Sequence, residues 1–150
     1  MNATESIQTL LHCLLESQKY AVLATDQHGQ PYTSLMAFSA TPDLQSFILL
    51  TETGRLKYAN LMTNPRVALF IDNRENVGAD IEEAIAVTAQ GVADEVVGEE
   101  REVLRDFFLR RHPGLRVFAS APKCALIRIK INSYVIVRRF QEVIEWRIEN

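Results

Sequence analysis

Arg55 and Lys57 lie close together in the run Thr51-Glu-Thr-Gly-Arg-Leu-Lys-Tyr-Ala-Asn-Leu-Met-Thr-Asn-Pro-Arg66, between apolar runs at 47–50 and 67–71. The pattern predicts a strand ending near Thr51 and a helix starting near Gly54. That helix must stop before Pro65, because the residue preceding a proline is pushed out of the α region. Thr53 is the expected N-cap, its hydroxyl accepting from a free backbone N–H. The first turn of a helix favours acidic side chains, since the macrodipole is positive there. Here it carries Arg55 and Lys57 instead. Two cations beside free N–H groups suit an anion, and a helix start is a ready phosphate cradle. The alternative is a solvated basic turn.

Other chemistry is sparse. There is no HExxH, no GxSxG and no Walker loop. His12, His28 and His112 are far apart in sequence, and none stands at ligand spacing from a Cys or an acid. His112 reads as a charge at a helix C-terminus rather than a catalytic base. The acidic run Asp80-Ile-Glu-Glu83 reads as a solvated loop rather than a chelate, so no metal site is expected. Cys13 and Cys124 lack CxxC spacing and lie in apolar contexts, which predicts two buried free thiols.

The elements around the basic turn follow from periodicity. Ile7, Leu10, Leu11, Leu14 and Leu15 mark a one-sided helix over 4–18, capped by Thr4 or Ser6. Strands are expected at 20–25, 32–40 and 46–51, joined by short turns as an antiparallel meander, with Gly29 free to take a positive φ. After the central helix, 67–72 reads as a strand buried on both faces. Residues 73–83 read as a loop with some helix, and 84–97 as a long strand in which Gly91 marks a bulge or a close backbone approach. A helix over 98–112 has Glu99, Glu100 and Glu102 early and Arg110 and Arg111 late, matching the macrodipole. Its expected apolar face is Val103, Leu104, Phe107 and Phe108, and Pro113-Gly114 ends it. A connection covers 115–123. Strands with period-two alternation follow at Ile127-Ile129-Ile131 and Ile144-Trp146-Ile148, with a further candidate strand at 134–138. Six or seven antiparallel strands with three peripheral helices favour a closed barrel, because closure removes sticky edges.

At 150 residues and 47% hydrophobic, the chain suits one domain over 1–150. A net charge of −3 offers no broad basic surface for nucleic acid. No apolar run approaches the roughly 20 residues that cross a bilayer, and no basic leader precedes an apolar stretch. A cytoplasmic location is the default expectation.

Several short motifs then combine. Gly29-Gln-Pro-Tyr-Thr-Ser34, the strand end at Thr51, Gly54-Arg-Leu-Lys-Tyr-Ala-Asn-Leu61 and Asn64-Pro-Arg-Val-Ala-Leu69 together resemble the pyridoxamine 5′-phosphate oxidase-related, FMN-binding split barrel family. The resemblance is strongest over 20–72 and rests on the joint order and spacing of the motifs. It implies a six-stranded antiparallel split β-barrel of Greek-key type with peripheral helices. It also implies a homodimer with FMN in two grooves at the interface. By the same resemblance Lys57 meets the ribityl phosphate and Arg55 adds a second phosphate contact. Ser34, Leu35, Met36 and Ala37 run along the isoalloxazine ring and offer backbone groups. Thr51 sits near the phosphate and ribityl chain. Asn60 is either a bracing residue of the helix or part of the flavin site.

The departures are informative. Many family members carry arginine where this chain has Ser34, and another directly before the lysine, at Leu56. The oxidases themselves use a basic residue at the position of Ser39 and a C-terminal Arg-x-His, whereas this chain ends Glu145-Trp-Arg-Ile-Glu-Asn150. The resemblance therefore implies FMN binding and argues against oxidation of pyridoxamine phosphate. Three functions remain open. They are an FMN-dependent oxidoreductase acting on a small-molecule redox substrate, a non-catalytic flavin carrier or sensor, and a haem-binding split barrel using one of the histidines.

Overall fold

A computed structural model describes residues 2–149. Helix α1 (Ala3–Ser17) opens the chain. Its cap is Asn2, not Thr4 or Ser6: the Asn2 side chain accepts from the Glu5 N–H at 2.8 Å, and the Glu5 carboxylate accepts from the Asn2 N–H at 2.9 Å. This reciprocal box satisfies two otherwise free donors. Leu11, Leu14 and Leu15 are buried. Cys13 falls off that stripe and is exposed, so only Cys124 is the buried thiol the sequence suggested.

Strands β1 (Tyr20–Gln27) and β2 (Gln30–Ala37) form a hairpin. Its turn has His28 at φ 49° and Gly29 at φ 88°, both left-handed, as a two-residue hairpin turn demands. The expected strand over 32–40 is broken at Phe38. Beyond it, β3 (Ser39–Ala40) leaves β1 and pairs with β4 (Ser46–Glu52). Phe38 is fully buried, stacks on Phe47 at 5.3 Å, and its N–H donates to the Lys19 carbonyl at 3.2 Å. Those contacts hold the chain where it changes partners.

Helix α2 (Leu56–Thr63) then leads to β5 (Arg66–Asp72). The one-turn helix α3 (Asp80–Glu83) precedes β6 (Ala86–Val96). Helix α4 (Gly98–Arg111) follows, then a 3-10 turn at Pro113–Leu115 and helix α5 (Arg116–Ser120), where the sequence suggested only a connection. Strand β7 (Cys124–Arg138) absorbs the separate strand expected at 134–138, and β8 (Glu142–Arg147) pairs with it.

Every strand pairing is antiparallel, in the order β2-β1-β5-β6-β7-β4-β3. The three early strands are thus no simple meander, since β5, β6 and β7 stand between β1 and β4. The two ends of the order, β2 and β3, are consecutive in the chain and joined by Phe38, so the sheet curls into a barrel with a seam there. Phe47, Leu49, Leu69, Ile71, Ile127 and Ile129 fill the interior. Tyr134 crosses it to donate to the Leu44 carbonyl at 2.6 Å. Gly91 marks the bulge the sequence suggested. A Cβ there would sit 2.2 Å from the Lys130 carbonyl oxygen, so only glycine allows β6 and β7 to approach so closely.

Two faces differ from expectation. β5 is buried on one side only, and Phe70, 38% exposed, looks outward. On α4 the buried residues are Phe108 and Leu109, while Val103 is 68% exposed. The helix packs through its C-terminal half, over a small second core with Ile48, Leu50 and Leu126.

Candidate functional site

A cleft of about 740 Å³ opens where the free edge of β2 meets the end of β4, the start of α2 and the segment from α4 to α5. The fold makes the cleft because β2 pairs with β1 on one side alone. Its other edge keeps backbone donors and acceptors that no strand uses, and such groups seek partners. Of the site residues suggested by sequence, Leu35, Met36, Ala37, Thr51, Arg55 and Lys57 line the cleft together. Ser34 and Asn60 do not. Ser34 is half-buried opposite Leu23 on β1. Asn60 is buried, and its Nδ2 donates to Thr25 Oγ1 at 3.0 Å, bracing α2 against β1.

At the α2 end of the cleft the expected cap is absent. Thr53 is not the N-cap: its N–H donates to the Lys123 carbonyl at 2.9 Å, and Arg55 holds the cap position without any side-chain capping bond. The helix therefore starts with free N–H groups and no acidic residue in its first turn. Arg55 is exposed and paired with Glu52 at 3.4 Å, which partly spends its charge. Lys57 is half-buried and differs. Its Nζ meets the Met36 sulfur at 3.4 Å, and among the described residues no carboxylate pairs with it. Burial, and then the neighbouring Arg55 charge, hold its pKa below the usual lysine value. Thr51, which lines the same cleft, is 3% exposed and its hydroxyl has no hydrogen-bond partner. A buried orphan hydroxyl is costly, and here it lies in the wall of a cleft with a desolvated cation. That combination fits an anionic group bearing several acceptor oxygens.

The opposite end is built by Lys19, Leu50, Phe108, Arg111 and Phe118, which the sequence did not single out as site residues, and by His112, which it offered only as one of three candidate haem ligands. Arg111 donates to the carbonyls of Gln18 and Glu16, and its guanidinium lies over the Phe38 ring at 5.0 Å. His112 is not the exposed helix-end charge expected from sequence. It is 8% exposed, its Nε2–H donates to the Phe38 carbonyl at 2.7 Å, and its ring packs on Phe108 at 4.7 Å. Burial chiefly lowers its pKa. The Phe38 carbonyl opposes that shift, while Arg111 and Lys19 reinforce it. One sequence signal could have found it. His112 directly precedes Pro113, so it cannot stay helical, and at φ −124°, ψ 64° its ring leaves the helix surface and enters the barrel seam.

Among the described residues no cluster of His, Cys, Asp or Glu is arranged to hold a metal ion, and no helix is long and apolar enough to cross a membrane. The three histidines do not converge: His28 is at a hairpin tip, His12 on α1 and His112 in the seam.

Comparison with known proteins places this architecture. The family model described as pyridoxamine 5′-phosphate oxidase matches residues 7–147. A pyridoxamine 5′-phosphate oxidase homologue of Schizosaccharomyces pombe is 27% identical over 88% of this chain and 86% of that protein. Among solved structures, a haem-binding protein from Mycobacterium smegmatis superposes with a TM-score of 0.82 at 17% identity, covering 98% of this chain but 58% of that one. An FAD-binding protein from Mesorhizobium loti superposes at 0.70 and 19% identity, covering 91% and 92%. At these identities the structural likeness speaks for the fold.

Proposed function

Because the chain belongs to the pyridoxamine 5′-phosphate oxidase family, we propose that it binds FMN in the cleft and works as a flavin-dependent oxidoreductase on a small substrate. The observation that carries this reading is the pairing of Lys57, a desolvated cation without a carboxylate, with the orphaned Thr51 hydroxyl at an uncapped helix start. A phosphate satisfies all three at once: charge for the ammonium, an acceptor for the hydroxyl, and oxygens for the free N–H groups. Arg55 adds weaker, screened attraction, because Glu52 already neutralises it.

The remaining residues suit a planar ring. The free edge of β2 at Leu35, Met36 and Ala37 offers backbone hydrogen bonds, and Leu50, Phe108 and Phe118 provide apolar wall. Bound FMN supplies hydride and electron transfer. The chain holds it, aims it and keeps water from part of its surface. Ser39 cannot supply the positive charge that the vitamin's phosphate would require, so pyridoxamine phosphate is not the proposed substrate.

The reading includes a homodimer. Leu35, Val22 and Phe70 stand side by side across β2, β1 and β5 on the outer face, with Leu35 71% exposed. Such an apolar row beside the cleft suits a second copy of the chain. Haem is the weaker alternative. It calls for an axial ligand; of the histidines only His112 lines the cleft, with Nε2 committed to Phe38, and haem brings no phosphate to the unmet groups at Lys57 and Thr51.

The test is the visible spectrum of the purified protein, repeated after loading with FMN and desalting. A retained flavin spectrum supports the reading. A colourless protein that cannot be loaded contradicts it, and a Soret band would favour haem. Carrier and enzyme separate at the next step: bleaching by a nicotinamide donor, with turnover on an acceptor, is expected of the oxidoreductase.

A further inference from the structure

His112 has one ring nitrogen accounted for and one that is not. A carbonyl can only accept, so the 2.7 Å contact with Phe38 places the hydrogen on Nε2. In the neutral ring Nδ1 then carries a lone pair. No protein donor among the described residues reaches it, and it is absent from the buried polar atoms that lack partners. Nδ1 is therefore not sealed from solvent, and the residue is one of those lining the cleft. The ring cannot easily turn, being held by Phe38 at one edge and by Phe108 against its face. Arg111 and Lys19 are the charged groups beside it, and both oppose an imidazolium. This imidazole is suited to accept a hydrogen bond without taking the proton. Its partner should be a weakly acidic N–H.

The position along β2 matters too. Lys57 touches Met36, and His112 binds Phe38, two residues further on. At roughly 3.3 Å per residue that is about 7 Å along the chain, just past the end of β2 at Ala37. The cation and the acceptor thus follow one another along the edge that would carry the ring. We propose that His112 is a flavin contact, with Nδ1 accepting a hydrogen bond from the imide N–H of the isoalloxazine ring. The proposal rests on FMN occupying the cleft.

The test compares FMN with N3-methyl-FMN, which lacks that hydrogen, by absorbance titration of wild type and His112→Ala. In wild type, methylation costs about tenfold in affinity. In His112→Ala it costs twofold or less, because the acceptor is gone and space is open. Equal losses in the two proteins overturn the proposal while leaving FMN binding intact. Failure of wild type to bind FMN at all overturns both. Should His112→Ala not fold, histidine ¹⁵N spectra of wild type decide. The His112 Nδ1 resonance shifts with FMN and stays near its ligand-free position with N3-methyl-FMN. Identical responses to the two ligands overturn the contact.

Discussion

The two ends of the cleft are built on opposite terms. The α2 end is a set of unmet demands: a cation without a carboxylate, a buried hydroxyl without a partner, and a helix start without a cap. The α4 end is largely satisfied within the protein. Arg111 is spent on backbone carbonyls, and His112 holds Phe38 and leans on Phe108. Ser39 Oγ and Arg138 Nε are also buried without partners, so it is the gathering of several unmet groups at one end of a cleft that fits a ligand able to meet them. Satisfied groups imply a scaffold, with His112 Nδ1 left as an open acceptor on it. The cleft therefore reads as an anion grip at one end and a shaped wall at the other, and substitutions at the two ends should fail in different ways.

The largest effect should come from Lys57→Ala. Loss of a charged hydrogen bond predicts FMN binding weaker by roughly 10- to 100-fold, with little change in the stability of the ligand-free protein. Arg128→Ala is the control, since Arg128 is tied to Asp94 and Glu100 away from the cleft. Equal affinities in the two variants, read by fluorescence titration, would remove the grip. His112→Ala should show the reverse balance. Loss of a buried hydrogen bond and of ring packing costs about 1–3 kcal/mol of folding stability, read by urea denaturation, and should leave the preference for FMN over riboflavin in place.

Acid sharpens the contrast. The folded pKa of His112 lies below its ordinary value, so the unfolded chain takes up its proton first as pH falls. Its contribution is present in full above the ordinary histidine pKa and is lost as pH falls from there towards the folded value. Denaturation midpoints of wild type should drop across that window, and those of His112→Phe should drop less. Parallel curves would contradict the burial of a neutral ring.

Smaller and opposite in sign is Thr51→Val. Removing an unpartnered buried hydroxyl should leave the ligand-free protein as stable or slightly more so, yet weaken FMN several-fold. A stability loss without an affinity loss would make Thr51 structural. Arg55→Ala should matter least, about two- to threefold in affinity and fading with salt, because the side chain is exposed and paired.

The same division explains what the sequence disclosed. The α2 end is local. Charges that clash with a helix dipole, a proline stop and a strand end lie within a short run and can be read from it. Even there the capping residue was misjudged, because the helix starts only at Leu56 and Arg55, not Thr53, takes the cap position. The barrel was legible from the alternation in β7 and β8 and from Gly91. The partner exchange at Phe38 was not, since a break between two pairings leaves the period-two pattern intact. His112 depends on that break. Its carbonyl partner lies far back in the chain, and its burial follows from where the barrel seam closes. Val103 and Phe70 were misplaced for a related reason: periodicity shows that a face is apolar, and tertiary packing decides which part of it is covered.

The most direct measurement is parallel titration of the ligand-free protein with FMN and with riboflavin, which lacks the phosphate. An anion grip at Lys57 and Thr51 predicts FMN tighter by at least about tenfold, with the gap narrowing in Lys57→Ala. Equal affinity for the two flavins in wild type would contradict it and leave the α2 end of the cleft without its proposed ligand.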